Sequence, residues 1–172
     1  MHATAVVGPV MSQMWQTWAS GNGLHQRYRL CPASPAVEVY HASGTLPSSR
    51  ELLSRISTDL LTNSLLYTDS TGFYELKERR LNATGPVAQN YHALVQTAAL
   101  LESKGSASRE LAVLTRRTMG VASLADGELE CVELDACARG RSLSLFLARR
   151  AHVTFLRFRS QVHAAAPHHP GF

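Results

Sequence analysis

A chain of 172 residues with 45% hydrophobic and 17% charged side chains has the composition of one ordinary globular domain or of a piece of a larger one. No apolar run reaches the roughly 18 residues of a membrane span, and the opening MHATAVVGPVMSQMWQTW has no basic region leading into an uninterrupted apolar stretch, so neither a span nor an export signal is expected. The net charge of +4 is unevenly placed: all 13 acids and eleven of the 17 bases precede Ala136, and six arginines without an acid follow it, so the body is slightly acidic and only the tail is basic.

Short β-type runs recur between turn signals, which predicts an antiparallel all-β architecture. ATAVVGPVMSQMWQTW reads as one or two strands broken at Gly8-Pro9, SGNG (Ser20 to Gly23) as a loop, and LHQRYRLC as an alternating strand. In AVEVYHASG, Val37, Val39 and His41 fall on one face and Glu38 and Tyr40 on the other, a half-buried strand. SSRELLSRISTDLLTNS fits either a helical face through Leu52, Leu53, Ile56 and Leu60 or an extended strand; a strand with a short helical turn is expected. LLYTDSTGFYELKERR is a hairpin, with Tyr67-Thr68-Asp69 entering its bend, Gly72 in it, and alternation through Phe73, Glu75 and Lys77. After a loop at Gly85-Pro86 come a strand through YHALVQTAALLE, the loop SKGSASR, the strand ELAVLT, and a pair joined at the tight turn Ala125-Asp126-Gly127. Beyond Arg139 the turns fade. There Leu143 to Ala148 is expected to join the sheet and HVTFLRF to form an Arg-guarded edge strand.

Chemistry is sparse. Cys131, Cys137 and His152 are not spaced as a zinc finger or ribbon, and His168-His169 lies in a Pro-bounded tail. Three cysteines, Cys31, Cys131 and Cys137, are too few for a disulfide framework; a Cys131–Cys137 pair is one reading, and three reduced or buried thiols the favoured one. No nucleophile elbow, phosphate loop or dinucleotide fingerprint is present. A glycosidase would need two carboxylates in a facing pair; Asp59, Asp69, Asp126, Glu128 and Glu130 are available, but Asp69 and Asp126 sit at predicted turns and Glu128 and Glu130 alternate along one strand face, so turn-making and solvated-face roles are expected. Asn82-Ala83-Thr84 is an N-glycosylation sequon in a loop.

The linked segments YTDSTGFYELKERR, LNATGPVAQNYHALVQTA and RELAVLTRRTMGVASLADGELE resemble, in order and spacing, the C-terminal β region of the family 38 α-mannosidases of lysosomal, epididymal and Golgi type. The matching marks are Tyr67, Thr68, Asp69 and Gly72 at the bend, Asn90-Tyr91, Gly120 and Ser123, and Gly127 with Glu130; the likeness runs from about Ala5 to Glu133. It implies a β-sandwich fragment over residues 1–135, followed by a divergent basic tail over 136–172; within that tail the prolines, glycine and small residues at the end predict disorder over 163–172. The sequon at Asn82 is similar to one carried by lysosomal members.

The resemblance further implies a retaining mannosidase acting on mannosyl glycans, with its zinc and aspartate nucleophile in an N-terminal barrel that this sequence does not contain. No catalytic, cofactor or metal residue is therefore carried over, and the chain alone is expected to be inactive. Its expected role is a scaffold for the barrel, in a lysosomal, Golgi or secretory setting. The sequence departs from the family at CVELDACARG, where paired arginines are missing. A different reading is a free-standing carbohydrate-binding module using Trp15, Trp18 and Tyr28, although core packing of both tryptophans is expected. Nucleic-acid binding by the tail has little aromatic support.

Overall fold

Alternation of apolar and polar side chains, with few helix-length periods to compete, turns most of the chain into strands. The computed structural model describes residues 1–18, 23–44, 50–69, 75–103, 109–134, 142–150 and 156–164. The strands are β1 His2–Val7, β2 Ser12–Trp18, β3 Leu24–Leu30, β4 Ala36–Ala42, β5 Arg50–Thr58, β6 Leu65–Thr68, β7 Lys77–Arg80, β8 His92–Leu94, β9 Thr97–Leu101, β10 Glu110–Thr115, β11 Met119–Ala122, β12 Glu128–Leu134, β13 Ser142–Arg150 and β14 Leu156–Ala164. Among the described residues a single 3-10 turn, Val87–Asn90, interrupts them.

Two antiparallel sheets result. The larger runs β1-β2-β3-β4-β13-β10-β9-β6-β7 and the smaller β14-β5-β12-β11-β8. They share one core: Val39, Leu66, Leu100, Leu111 and Val113 from the first sheet pack with Ile56, Leu94, Val121, Leu129 and Cys131 from the second. Each fully buried Leu or Ile here contributes about 1.5–3 kcal/mol relative to exposure, so the all-β sandwich follows from where period-two alternation puts these residues. β4 shows this directly, with Val39 and His41 buried and Glu38 and Tyr40 half-buried opposite them.

Strands β1 to β3 form a wing at one end of the larger sheet. Every residue of β1 is exposed, and Val6, Val7 and Val10 keep 56–83% of their surface. The wing is built from two hairpins, and the Gly8-Pro9 break is closed by the Gly8 N–H donating to the Met11 carbonyl at 3.1 Å.

Several expectations change. YHALVQTAALLE is not one strand: β8 belongs to the smaller sheet and β9 to the larger, and the chain crosses between them at Val95-Gln96. A continuous apolar run looks the same whether it stays in one sheet or changes sheets. The ambiguous segment after Ser49 is the strand β5, paired with both β12 and β14. Neither tryptophan joins the core, since Trp15 is 40% exposed and Trp18 half-buried, both out on the wing. The edge strand in the tail is present as β14 but begins at Leu156, and the first part of HVTFLRF lies outside the described residues. His163 and Ala164, the first residues of the end expected to be unordered, lie in β14 opposite Glu51 and Arg50; residues 165–172 lie outside the described residues. Leu143 to Ala148 lies in β13, seated between β4 and β10 in the middle of the larger sheet.

Candidate functional site

The residues singled out by sequence gather around the loops that join the two sheets, and the geometry shows what each does. Asp69 directly follows β6. Its carboxylate accepts three backbone N–H groups at the sheet crossing, from Val95 at 3.0 Å, Gln96 at 2.8 Å and Thr97 at 2.9 Å. The Asp69 N–H in turn donates to the Thr97 carbonyl at 3.1 Å. A buried crossing leaves backbone donors unsatisfied unless a side chain takes them up, so the Asp69 carboxylate clamps the crossing; the bend it was expected to form, residues 70–74, lies outside the described residues. Beside it Thr68 is fully buried and accepts the Arg79 Nε–H at 3.1 Å, while the Tyr67 hydroxyl reaches Glu78 across the hairpin at 3.4 Å. Gly72 lies outside the described residues.

Asn90 is a second clamp. Its Oδ1 accepts the Asn82 N–H at 2.7 Å and its Nδ2 donates to the Asn82 carbonyl at 3.2 Å, so the buried amide pairs with a peptide as a strand neighbour would. This presents Asn82 at the tip of an exposed turn. There its own Oδ1 accepts from the Thr84 N–H, the Thr84 hydroxyl and the Gly85 N–H at 3.0–3.2 Å.

The turn after β11 is the third. Gly127 has φ +66°, and a Cβ there would lie 2.7 Å from the Leu60 carbonyl oxygen and 2.9 Å from that of Thr58, a position only glycine fills. Gly120 differs, because a Cβ would meet Val132 at an ordinary 3.4 Å. Asp126 accepts from the Thr62 N–H at 2.7 Å, the Thr62 hydroxyl at 2.9 Å and the Ser64 N–H at 3.4 Å. It thereby holds Asn63 and Ser64, both at positive φ. Desolvation pushes the Asp126 carboxyl upward, but the hydrogen bonds from Thr62, Ser64 and Asn63 outweigh it and hold the group below the ordinary carboxylate value. Ser123 is buried and donates to the Ala125 carbonyl at 3.2 Å.

Among the described residues Glu130 is the one strongly buried carboxylate on a strand, and the solvated-face reading fails for it. Its side chain is 3% exposed, paired through Oε1 with the Arg55 guanidinium and through Oε2 with the Tyr91 hydroxyl at 2.7 Å. Glu128, on the same face, accepts the Ser57 hydroxyl at 3.2 Å. Burial, the Glu130 hydrogen bond and the Glu130 charge all push the Tyr91 phenol far above its ordinary value. Arg55 is raised as well, chiefly by its hydrogen bond to Glu130. Asp59 pairs with Arg109, which also grips Glu102, tying the mouth of the β9–β10 hairpin to the end of β5.

A general acid or base needs a carboxylate able to exchange a proton with substrate. Here both oxygens of Glu130 and both of Asp69 are taken by the protein, and Asp126 is tied to a turn. Among the described residues no three His, Cys, Asp or Glu side chains converge as metal ligands, so the donors do not fit a zinc ion. A shallow depression bounded by Leu66, Arg79, Asn90, His92 and Ser123 has room for about one water molecule. Cys31 carries a half-buried thiol, Cys131 is in the core, and Cys137 lies outside the described residues, as do His152, His168 and His169. Sequence reasoning missed Arg55, Thr62 and Arg109, whose roles are visible only once distant strands are paired.

The profile of the Glycosyl hydrolases family 38 C-terminal domain matches residues 1–152. The lysosomal alpha-mannosidase of Bos taurus is 35% identical over 129 residues, which is 69% of this chain and 12% of that protein. The human lysosomal alpha-mannosidase is 34% identical over the same length and shares. The alpha-mannosidase of Canavalia ensiformis is 31% identical over 134 residues, 72% of this chain and 13% of its own length. The chain thus spans 12–13% of the length of these relatives.

Proposed function

Since this chain belongs to glycosyl hydrolase family 38, matching its C-terminal domain, we propose that it serves as the β-sandwich scaffold beside a catalytic barrel of an α-mannosidase acting on mannosyl glycans. The observation carrying this reading is that the motif carboxylates Asp69, Asp126 and Glu130 all hold backbone or neighbouring side chains. Residues spent in this way fix position, which is what a supporting domain supplies to a neighbouring site. No step of hydrolysis is routed through these residues, and the zinc of the family belongs with the barrel.

The test is activity and complementation. The 172-residue chain should not hydrolyse an activated α-mannoside, with or without zinc. Supplied in trans to a relative's catalytic portion lacking this region, it should raise the soluble, active fraction. Turnover by the chain alone that disappears on Glu130→Gln would overturn the scaffold reading.

The same reading extends to Asn82. The exposed Asx turn presents the acceptor amide at a loop tip, and with lysosomal relatives this supports a secretory-route protein carrying a glycan there. Expression through a secretory pathway should give a band that shifts on endoglycosidase treatment and is absent in Asn82→Gln. An unshifted band would remove both the glycan and the argument for that route.

A further inference from the structure

The outer face of the wing carries a constellation that the scaffold reading does not use. Cross-strand register places Thr4, Trp15, Arg27 and Tyr40 in one row over β1, β2, β3 and β4. Opposed residues in an antiparallel sheet share a face, and the opposite face is the one that buries Gln26, Val39 and His41. Trp15 is exposed, and the Arg27 guanidinium lies 5.1 Å from the centre of the Tyr40 ring. Among the described residues no carboxylate or carbonyl takes up the Arg27 N–H groups. Two polar pairs flank the row, Arg29 with Glu38 at 3.1 Å on one side and Thr17 with His25 at 3.1 Å on the other.

From this arrangement we propose that the outer face of β2, β3 and β4 is a carbohydrate-binding surface that takes a pyranose sugar of an oligosaccharide. The indole of Trp15 offers a flat apolar face to the ring C–H groups of the sugar. Arg27, held in place by Tyr40, turns its vacant donors to the ring hydroxyls. Glu38 and Arg29 supply an acceptor and further donors beside them. With strands about 4.8 Å apart, Trp15 and Tyr40 stand about 10 Å from each other, room for a sugar residue lying across Arg27. A protein partner fits less well, because the centres of protein interfaces are depleted in charge, whereas this indole is flanked on its own face by Thr4, Gln13, Thr17, His25, Arg27 and Arg29, with Val6 the one apolar neighbour among them. The surface does not depend on the scaffold role and is separate from Asp69, Asn90 and Glu130.

Affinity electrophoresis of the full chain through gels containing a soluble mannan or a soluble polyuronate tests it. We expect mannan to retard the wild-type chain. Trp15→Ala and Arg27→Gln should each weaken that retardation by roughly tenfold or less, the range of a lost stacking contact. Arg27→Lys should restore part of it, and Arg80→Gln, on another edge, should change nothing. Retardation by polyuronate alone, sensitive to the same two variants, would keep the site and assign it an acidic sugar. Far-ultraviolet circular dichroism of each variant separates a lost site from a lost fold. No retardation by either polymer, or retardation that survives Trp15→Ala in a folded chain, overturns the proposal. So does a Trp15→Ala chain that loses self-association instead of sugar retention, which would make the face a protein contact.

Discussion

The two-sheet body and the β1–β3 wing are made of similar strands, yet they use polar residues in opposite ways. In the body the motif side chains at the sheet junction are consumed: Asp69 holds a crossing, Asn90 a loop, and Glu130 an arginine and a tyrosine. In the wing Arg27 rests on an aromatic ring beside an exposed indole. The difference teaches that a two-sided core makes loops pass through buried space, where each peptide group needs a partner. A sheet covered on one side or neither leaves side chains available for other contacts.

Substitutions should break this contrast in a graded order. Asp69→Ala removes the acceptor for three backbone donors at once, and we expect a loss of about 3 kcal/mol in urea unfolding. A change below about 1 kcal/mol would mean that water replaces the carboxylate and that the crossing is not clamped. Glu130→Gln leaves Arg55 with the more distant Glu128, at 4.0 Å, in place of its buried charged partner. Because the Arg55 side chain is 34% exposed, the expected loss is discounted to about 2 kcal/mol, measured in the same way.

Acid should act on the body through His92 and the tied carboxylates. Burial, followed by the charge of Arg79, lowers the His92 pKa from 6.5. The unfolded chain therefore binds this proton more readily than the folded one, and stability should fall as pH drops below about 6.5. Asp126 and Glu102 are depressed as well, Glu102 first by its hydrogen bond from Arg109. Their stabilisation is present above the unfolded carboxylate values of 3.8 and 4.5 and is lost as pH falls through the folded ones. The melting temperature should thus decline from pH 7 to pH 5, and His92→Gln should flatten that decline while leaving the fall below about pH 4. A profile unchanged by His92→Gln would assign the upper limb to another group. Smallest of all should be Val7→Lys on the fully exposed β1 edge. Unfolding should move by less than about 0.5 kcal/mol, while sedimentation should show reduced self-association, as a charged edge resists pairing. A destabilisation comparable to Asp69→Ala would erase the distinction between wing and body.

Much of this was legible in the amino-acid order, with limits that have physical causes. Strands with one buried face declared themselves, as Val39 and His41 did, because period-two alternation is a local signal. The Ala125-Asp126-Gly127 turn was equally plain, since glycine at positive φ is written into a short motif. The sheet change at Val95-Gln96 was hidden because nothing local differs between a strand that continues and one that switches layers. Glu130 read as solvated because the residues covering it, Arg55 and Tyr91, lie 75 and 39 positions away. Trp15 misled in the other direction: a large aromatic is usually core, but its strand lies out on the wing. The motif residues were found by resemblance, whereas their work as clamps emerged from long-range pairing.

The place of β13 has a consequence for how the chain is made. Its neighbours in the sheet, β4 and β10, are synthesised well before it, and β13 alone links them. Until residues 142–150 leave the ribosome, the larger sheet exists as two halves with bare inner edges. Contacts of such sequence separation close late and slowly, so the nascent chain passes through an interval in which each half can pair with a neighbour on the same polysome. Slowing translation upstream of Ser142 should lengthen that interval and lower the soluble yield.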